Sequence, residues 1–319
     1  MDNRDRALGI DILKFLAVIC VVNSHMDVCY PGKWSVFATG GAIGDALFFF
    51  CSGYTLFLGR MDGFVPWFKR RLWRILPATV LCVGAFAIMY GGSWWDRTGG
   101  FWFIRCILIY YVAIYAIRRW LMSRLPLVFA LIIVAVAVWY YGANRWTTSI
   151  YASGYFMWLH YFVPMLMGAA LGGHHTKRRS NGWVSGCLLA ISFVLFYGGG
   201  WLTKRYDALQ PYQIVTLPFL WATIYYLYRA ANCALLERFC KSGVMHWILM
   251  AVGGLCLEVY LSHRPFLTDA LNGWFPFNIP VLFAAILVLA YGVRCVTRFL
   301  VQTMQWSGHY DWRAIVKVV

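Results

Sequence analysis

Charged residues are scarce in this chain. Lysine, arginine, aspartate and glutamate make up 13% of the 319 residues, whereas 61% are hydrophobic, and the mean hydropathy is +0.63. A soluble domain carries about a quarter charged residues. The apolar residues fall into runs of roughly 17 to 25, the length of a helix that crosses a bilayer. The composition therefore excludes a soluble protein and predicts a polytopic membrane protein.

Paired cysteines are also missing. The ten cysteines are scattered through the apolar runs, with no CxxC pair and no histidine at ligand spacing. Thiols in such positions usually pack as small hydrophobes, so we expect no metal site and no disulfide chemistry. The sequence shows neither an internal repeat nor a low-complexity stretch. We therefore expect one membrane domain over 1–319, without a separate soluble domain.

Ten segments are predicted to span the membrane as helices, which makes the predicted fold all-α. They are separated by stretches rich in glycine, asparagine, tryptophan and tyrosine, such as "GGSWWDRTGG" and "NGWFPFNIP", which are typical of turns and headgroup regions. The ten segments lie at about 7–27, 38–59, 75–91, 101–120, 126–143, 154–173, 183–200, 211–230, 245–266 and 278–301.

The basic residues indicate the orientation of these helices. If the N-terminus is cytoplasmic, 20 of the 28 lysines and arginines lie on the cytoplasmic side. Seven lie on the outer side, and Lys14 lies within the first helix. This asymmetry predicts that both termini are cytoplasmic. The net charge of +16 is then mainly the signal that orients the helices in the membrane, and it does not indicate a nucleic-acid partner. The seven outer residues are Lys33, Arg97, Arg105, Arg145, Lys204, Arg205 and Arg264.

Three titratable residues lie within the first predicted helix. Asp11 and Lys14 are three residues apart and can pair on one helix face. Lys14 and His25 are eleven residues apart, close to three turns, so they share a face about 16 Å apart along the axis. Charges inside a membrane are costly and indicate function unless they lie at the interfaces. An interfacial Asp11 and Lys14 with an exposed His25 is the alternative interpretation.

A basic run precedes Pro77, which is predicted to open the third helix. Arg71 and Arg74 are three residues apart and face the same way. Such a run at the inner surface binds either lipid phosphates or a phosphate-rich cytoplasmic ligand, for which arginine offers bidentate contacts. Later in the chain, "EVYLSHRPF" brings Glu258, Tyr260 and His263 near the outer end of the ninth helix. A merely solvated histidine is the alternative there.

Together these segments resemble a known family. The stretches "GIDILKFLAVICVVNSH", "GDALFFFCSGYTLF", "FKRRLWRILP", "FWFIRCILIYY" and "EVYLSHRPF" are similar to the integral membrane acyltransferase family 3, of the type that O-acetylates bacterial surface polysaccharides. That family has a basic residue and a histidine ten intervening residues later, an FF-x-x-SG segment, an R-x-x-R pair and a late Y-x-x-H. The resemblance extends from Gly9 to about Leu300.

The resemblance implies an enzyme of the bacterial inner membrane that moves an acetyl or other acyl group from cytoplasmic acyl-CoA to a sugar hydroxyl of a cell-surface or lipid-linked glycan, without a metal. His25 matches the family's essential histidine, and a neutral histidine can take a proton from a sugar hydroxyl. Lys14 stands where the family commonly has arginine and offers a point charge instead of a planar fork. We expect direct transfer in preference to an acyl-histidine intermediate.

The predicted site residues fall into three groups. His25, Asp11, Glu258 and His263 are the catalytic candidates, with Asp11 or Glu258 orienting a catalytic histidine. The donor-binding candidates are Lys14, Lys69, Arg70, Arg71 and Arg74. The substrate-binding candidates are Ser52, Tyr54, Trp102 and Tyr260.

Two other function classes compete with this interpretation. A transporter or flippase for a sugar or a lipid-linked glycan also has many helices and intramembrane charges, but such folds often contain paired halves, which this sequence does not show. A membrane sensor without enzymatic activity leaves the polar face of the first helix unexplained. The acceptor hydroxyl and the oligomeric state are not encoded in these motifs.

Overall fold

The chain is almost entirely helical in a computed structural model. The structure describes residues 8–91, 101–143, 149–151, 154–173, 181–241, 243–305 and 308–318, and these contain no β-strand. The α-helices in these ranges are α1 Leu8–Ser24, α2 Gly41–Leu58, α3 Phe64–Tyr90, α4 Trp102–Ala116, α5 Leu125–Gly142, α6 Gly154–His160, α7 Phe162–Gly173, α8 Gly182–Arg205, α9 Thr216–Ala231, α10 Ala234–Cys240, α11 Gly243–Gly254, α12 Cys256–Ser262, α13 Asn278–Met304 and α14 Trp312–Val316.

Each of the ten segments predicted to be helical coincides with helical structure, so the prediction of an all-α membrane protein is confirmed. In the described ranges, six helical stretches are long and apolar enough to cross a membrane, or seven if the bent pair α11 and α12 forms one span. One stretch, Trp102–Gly142, includes both α4 and α5. The figure of ten crossings and the N-in, C-in topology stay predictions.

The third helix begins earlier than the sequence indicates. The prediction of a helix starting at 75, with Pro77 opening it, is wrong, because α3 already starts at Phe64 and contains Pro77 in its interior. Aromatic residues before the basic run, including the buried Trp67, extend the helix toward its N-terminus. The proline ring removes one backbone hydrogen bond but leaves the helix continuous. The basic run therefore lies on a helix and not in a loop.

Some residues used to infer the topology lie outside the described part of the chain. These are Arg4, Arg6, Arg97, Arg145, Lys177, Arg178 and Arg179.

The contacts divide the chain into two units. The first unit comprises the described residues of 1–13, 42–60 and 109–245. Within it α9 packs against α8 and α7, and α5 packs against α6 and α7. Its core includes Tyr140 and Phe156, both fully buried. The first unit is thus a helical assembly with its own apolar core.

Glycine allows two helices of the first unit to pack backbone against backbone. A Cβ atom added to Gly53 of α2 would lie 1.9 Å from the Met165 carbonyl oxygen of α7, and one added to Gly168 would lie 2.0 Å from the Phe50 carbonyl oxygen. Such close approach is possible where neither helix carries a side chain. Gly53 and Gly168 therefore allow the backbones of α2 and α7 to approach each other closely.

The second unit comprises the described residues of 14–41, 61–108 and 246–319. In it α12 packs against α13 and α3, and α13 packs against α3 and α14. Apolar side chains such as Ile88 of α3 and Val288 of α13 are exposed, at 87% and 72%. Exposed apolar residues of this kind suit helices surrounded by lipid.

Candidate active site

Two histidines of the second unit stack on each other. His25 follows the last residue of α1, and its backbone N–H donates to the Val22 carbonyl. His263 follows the last residue of α12, and its N–H donates to the Val259 carbonyl. The two imidazole rings lie 5.1 Å apart, centroid to centroid, with 28° between their planes. The sequence predicted both as catalytic candidates but contained no signal that they touch.

Hydrogen bonds define the tautomer of His263. Its Nδ1 lies 2.9 Å from the Tyr260 carbonyl oxygen and 3.1 Å from that of Val259. Carbonyl oxygens only accept, so Nδ1 carries the hydrogen and Nε2 presents a lone pair in the neutral ring. The side chain is 2% exposed, and Nε2 has no hydrogen-bond partner among the described residues. His263 therefore offers a buried acceptor nitrogen beside the ring of His25.

His25 is the more accessible of the two and lies among charges. Asp27 and Arg264 both act on it electrostatically, and Arg264 also acts on His263. Two imidazolium rings at stacking distance repel each other, so the pair favours states with no more than one added proton. Such a pair can take up one proton and release it again, as general acid–base catalysis requires.

The backbone after His25 is held by asparagine side chains. The Asn23 amide donates to the carbonyls of Phe37 at 2.7 Å and Thr39 at 2.9 Å, and its oxygen accepts from the Tyr30 hydroxyl. The amide of Asn278, at the start of α13, donates to the Cys29 carbonyl at 2.7 Å. These bonds fix the chain on the C-terminal side of His25.

Aromatic side chains line the second unit next to His263. The Tyr260 ring lies 5.2 Å from that of Phe103, 6.3 Å from that of Phe101 and 6.4 Å from that of His263. Trp102, a predicted substrate contact, meets Phe103 edge to face. Phe101 adopts a positive φ of 48°, a sparsely populated conformation that often occurs at functional sites. The Tyr260 ring therefore connects His263 to a group of aromatic rings at the start of α4.

A charged cluster surrounds Cys256, at the start of α12. The Cys256 thiol lies 3.9 Å from the Lys14 carbonyl oxygen, and the charges of Lys14, Arg74, Glu258 and Arg294 all act on it. Cys256, at the start of α12, lies beside Lys14, and His263, just after the end of α12, lies beside His25. The stretch of α1 from Lys14 to Ser24 therefore runs in the same direction as α12. We call Lys14, Arg74, Glu258 and Arg294 the charged level of the second unit, and His25 and His263 its histidine level.

Glu258 forms a buried ion pair with Arg294. The guanidinium donates from Nε to Oε1 and from Nη2 to Oε2, each at 3.1 Å, and both side chains are 11% exposed. No hydrogen bond joins Glu258 to His263 among the described residues. Sequence reasoning counted Arg294 among the orientation signals and missed it as a site residue. Arg294 lies inside the apolar segment 278–301, and a charged residue in such a segment is itself a sign of a functional role.

The basic run is split by its surroundings. Arg70 pairs with Asp62, and Arg71 stacks on Trp67 at 4.0 Å while donating to its carbonyl. Lys69 is exposed at the surface of α3. Arg74 is the member of the run that contributes to the charged level around Cys256. The four predicted donor-binding cations of this run are therefore not equivalent.

Three predicted site residues belong to the first unit. Asp11, in the first turns of α1, is 1% exposed. Ser52 lies beside the tightly packed Gly53, and the Tyr54 ring lies 5.9 Å from that of Tyr228. Their predicted roles in catalysis and substrate binding stay predictions.

No group of three or more histidine, cysteine or carboxylate side chains that can hold a metal ion is found in the described ranges. The predicted absence of a metal stays a prediction.

The fold and the site define a multi-pass membrane protein with a stacked histidine pair and a separate group of charged side chains around Cys256. A family model described as an acyltransferase domain, that of acyltransferase family 3, matches residues 8–297 of the chain. The chain therefore belongs to this family and is a membrane acyltransferase. Searches among curated proteins and among solved structures found no match.

Proposed function

We propose that the protein transfers an acetyl or other acyl group from cytoplasmic acyl-CoA to a sugar hydroxyl of a cell-surface or lipid-linked glycan, in the inner membrane of a bacterium. The observation that supports this most directly is the stacked pair of His25 and His263, which follows the ends of α1 and α12, the helices that carry Lys14 and Glu258 of the charged level. Acyl transfer to a hydroxyl needs a base where the hydroxyl reacts and a binding site that holds the rest of the acyl donor.

His25 is the proposed base. Its imidazole takes the proton of the acceptor hydroxyl as the oxygen attacks the thioester carbonyl, and the bond from carbon to sulfur then breaks. The imidazolium returns the proton to the departing CoA thiolate, so the enzyme ends in its starting state. The bare Nε2 of His263 accepts a hydrogen bond from a second hydroxyl of the acceptor sugar and so orients the sugar. Direct transfer of this kind needs no acyl-enzyme.

The charged level is proposed to hold the donor. Lys14, Arg74 and Arg294 supply three positive charges against the one negative charge of Glu258, which favours an anion such as a CoA phosphate. Lys69, Arg70 and Arg71 on α3 extend this positive surface. Lys14 and His25 are eleven residues apart, which corresponds to about 16 Å along a helix axis, and the pantetheine arm would follow this path.

The proposed topology has ten crossings, with both termini cytoplasmic and membrane lipids around the helices. It places Lys14 and the basic run on the side where acyl-CoA is made and His25 toward the opposite side. The helical structure at all ten predicted segments supports this arrangement. We propose one membrane domain for the whole function and no nucleic-acid partner.

The decisive experiment measures acyl transfer by the purified protein in nanodiscs. Radiolabelled acetyl-CoA is incubated with candidate glycans, and the label recovered in glycan is compared among the wild type, His25→Ala and His246→Ala. His246 is an exposed histidine of α11 and serves as the matched control. Loss of the base lowers the rate by roughly 10²- to 10⁴-fold, whereas the control retains the wild-type rate.

Equal transfer by the wild type and His25→Ala contradicts the assigned base. If the wild type transfers no label to any glycan in nanodiscs but moves a glycan across the bilayer of sealed liposomes, a transporter mechanism replaces the acyl transfer proposed above.

A further inference from the structure

The helix that carries His263 is interrupted just before the site. α11 ends at Gly254 and α12 begins at Cys256, and the two are bent by 55° at Leu255. α12 has seven residues, so one connecting residue and its packing determine where it points. The orientation of His263 thus depends on whatever holds α12 at this bend.

Arg294 holds both sides of the bend. Its Nη2 donates to the Gly254 carbonyl, at the end of α11, and its Nε and Nη2 donate to the Glu258 carboxylate on α12. Its Nη1 donates to the Val318 carbonyl at 3.1 Å. A planar guanidinium offers donors in fixed directions, which a single ammonium group does not. Arg294 therefore joins α11, α12 and the segment 308–318.

The segment 308–318 is itself held along one face of α13. Four polar side chains, at positions 291, 294, 298 and 302, recur at helical spacing on this face. Tyr291 donates to the Val316 carbonyl at 2.8 Å, and Arg298 donates to the carbonyls of Ala314 and Lys317. The Gln302 oxygen accepts from the Asp311 N–H at 2.9 Å. The segment is thus anchored independently of Arg294.

Arg298 provides a matched comparison for Arg294. Among the described residues, its hydrogen bonds go to the segment 308–318 and none goes to α11 or α12. The charges of Glu258 and Arg294 nevertheless act on it. Replacing Arg298 removes a nearby positive charge and bonds to the same segment while leaving the bend intact.

We propose that Arg294 is a positioning residue that fixes the bend between α11 and α12 and thereby places His263 against His25. Glu258 is the anchor on α12 through which Arg294 acts, which assigns this carboxylate to the bend. This inference rests on the proposed acyl transfer only for its kinetic consequence, because the placement of His263 can be measured without activity.

The experiment compares Arg294→Gln, Arg294→Lys and Arg298→Gln in the full chain in nanodiscs. Diethyl pyrocarbonate modifies accessible neutral imidazoles, and mass spectrometry of peptides reports each histidine separately. His263 is 2% exposed and is protected in the wild type. We expect it to become several-fold more reactive in Arg294→Gln, less so in Arg294→Lys, and to stay protected in Arg298→Gln. The exposed His246 reports equal reagent in all samples.

Acyl transfer by the same samples gives the second measurement. A displacement of about 1 Å in a catalytic group lowers turnover by up to about 100-fold. We expect kcat to fall by about 10- to 100-fold in Arg294→Gln, with a raised KM for acyl-CoA because a positive charge near the donor is also lost. Arg294→Lys keeps that charge, so its KM should stay within about threefold of the wild type while kcat recovers only in part. Arg298→Gln keeps the wild-type kcat.

Unchanged protection of His263 in Arg294→Gln overturns the proposal, and so does equal deprotection in Arg298→Gln, which would indicate general loosening of the segment 308–318. If Arg294→Gln does not fold, the same criteria apply to Arg294→Lys. A wild type that transfers no acyl group but shows the expected protection pattern contradicts the proposed function and supports the positioning role.

Discussion

Two buried histidines in different units show what distinguishes a site from a packed core. His160 at the end of α6 is fully buried, its Nε2 lies 3.1 Å from the Ile150 carbonyl oxygen, and its Nδ1 has no partner among the described residues. His263 has the same features with the nitrogens exchanged. Burial and a bare nitrogen are therefore common to both.

The surroundings of the two histidines differ. The rings that contact His160 belong to Tyr151, Phe156 and Tyr161. His263 instead stacks on a second imidazole and is acted on by Arg264. The rings around His160 are phenyl and phenol rings, which do not accept a proton from an imidazolium near neutral pH. The neighbouring imidazole, and not burial, is therefore the feature that supports the proposed catalytic role of His263.

The largest expected effect separates these two histidines directly. We expect His263→Ala to lower the kcat of acyl transfer by roughly 100-fold, in the lower range of a lost acid–base contribution. His160→Ala should leave kcat nearly unchanged while lowering the melting temperature by several degrees, because its packing and its hydrogen bond are lost. Assays of turnover and thermal unfolding on the same preparations check both. A larger kcat loss in His160→Ala reverses the comparison.

The pH dependence of turnover sharpens the same contrast. An imidazole that already carries a proton cannot accept another, so kcat/KM should fall about tenfold per pH unit on the acid side. Activity is retained as the pH rises through the titration of His25. His160→Ala should keep this acid limb in place. A pH profile with no acid limb in the wild type argues against a histidine base.

The smallest expected effect concerns two arginines, one of which contacts an aromatic ring while the other acts among charged side chains. Arg71 is engaged by Trp67, whereas Arg74 acts at the charged level around Cys256. Arg74→Gln should raise the KM for acyl-CoA by about tenfold, the loss of one charged hydrogen bond. Arg71→Gln should raise it less than about threefold. Initial-rate measurements over a range of acyl-CoA concentrations check this, and a wild-type KM in both variants favours a lipid anchor.

Local patterns predicted most of the helical architecture. Apolar runs of membrane length identified ten helical segments, because a backbone in lipid must satisfy its own hydrogen bonds. The start of α3 was missed because Phe64 to Trp67 precede a dense run of charge, which hydropathy alone reads as a loop. The breaks at Tyr161 and Leu255 were also missed, since neither residue is a helix breaker.

The site was predicted less completely. Helical spacing placed Lys14 and His25 on one helix, and their contacts with Cys256 and His263 lie within one unit. The pairing of α1 with α12 depends on tertiary packing, which a single sequence does not display. For that reason Arg294 was interpreted from the sequence only as an orientation signal. Glu258, one of the two carboxylates predicted as candidates to orient a catalytic histidine, pairs with Arg294 in the structure.

The bonds that Asn23 and Asn278 make around the chain after His25 have a consequence for the energetics of turnover. A catalytic group on a mobile loop must be ordered anew in every cycle, and that ordering opposes the reaction each time. Here the conformational entropy of residues 25–39 is lost once, during folding. The activation entropy of acyl transfer should therefore reflect the meeting of donor and acceptor, with little contribution from the base.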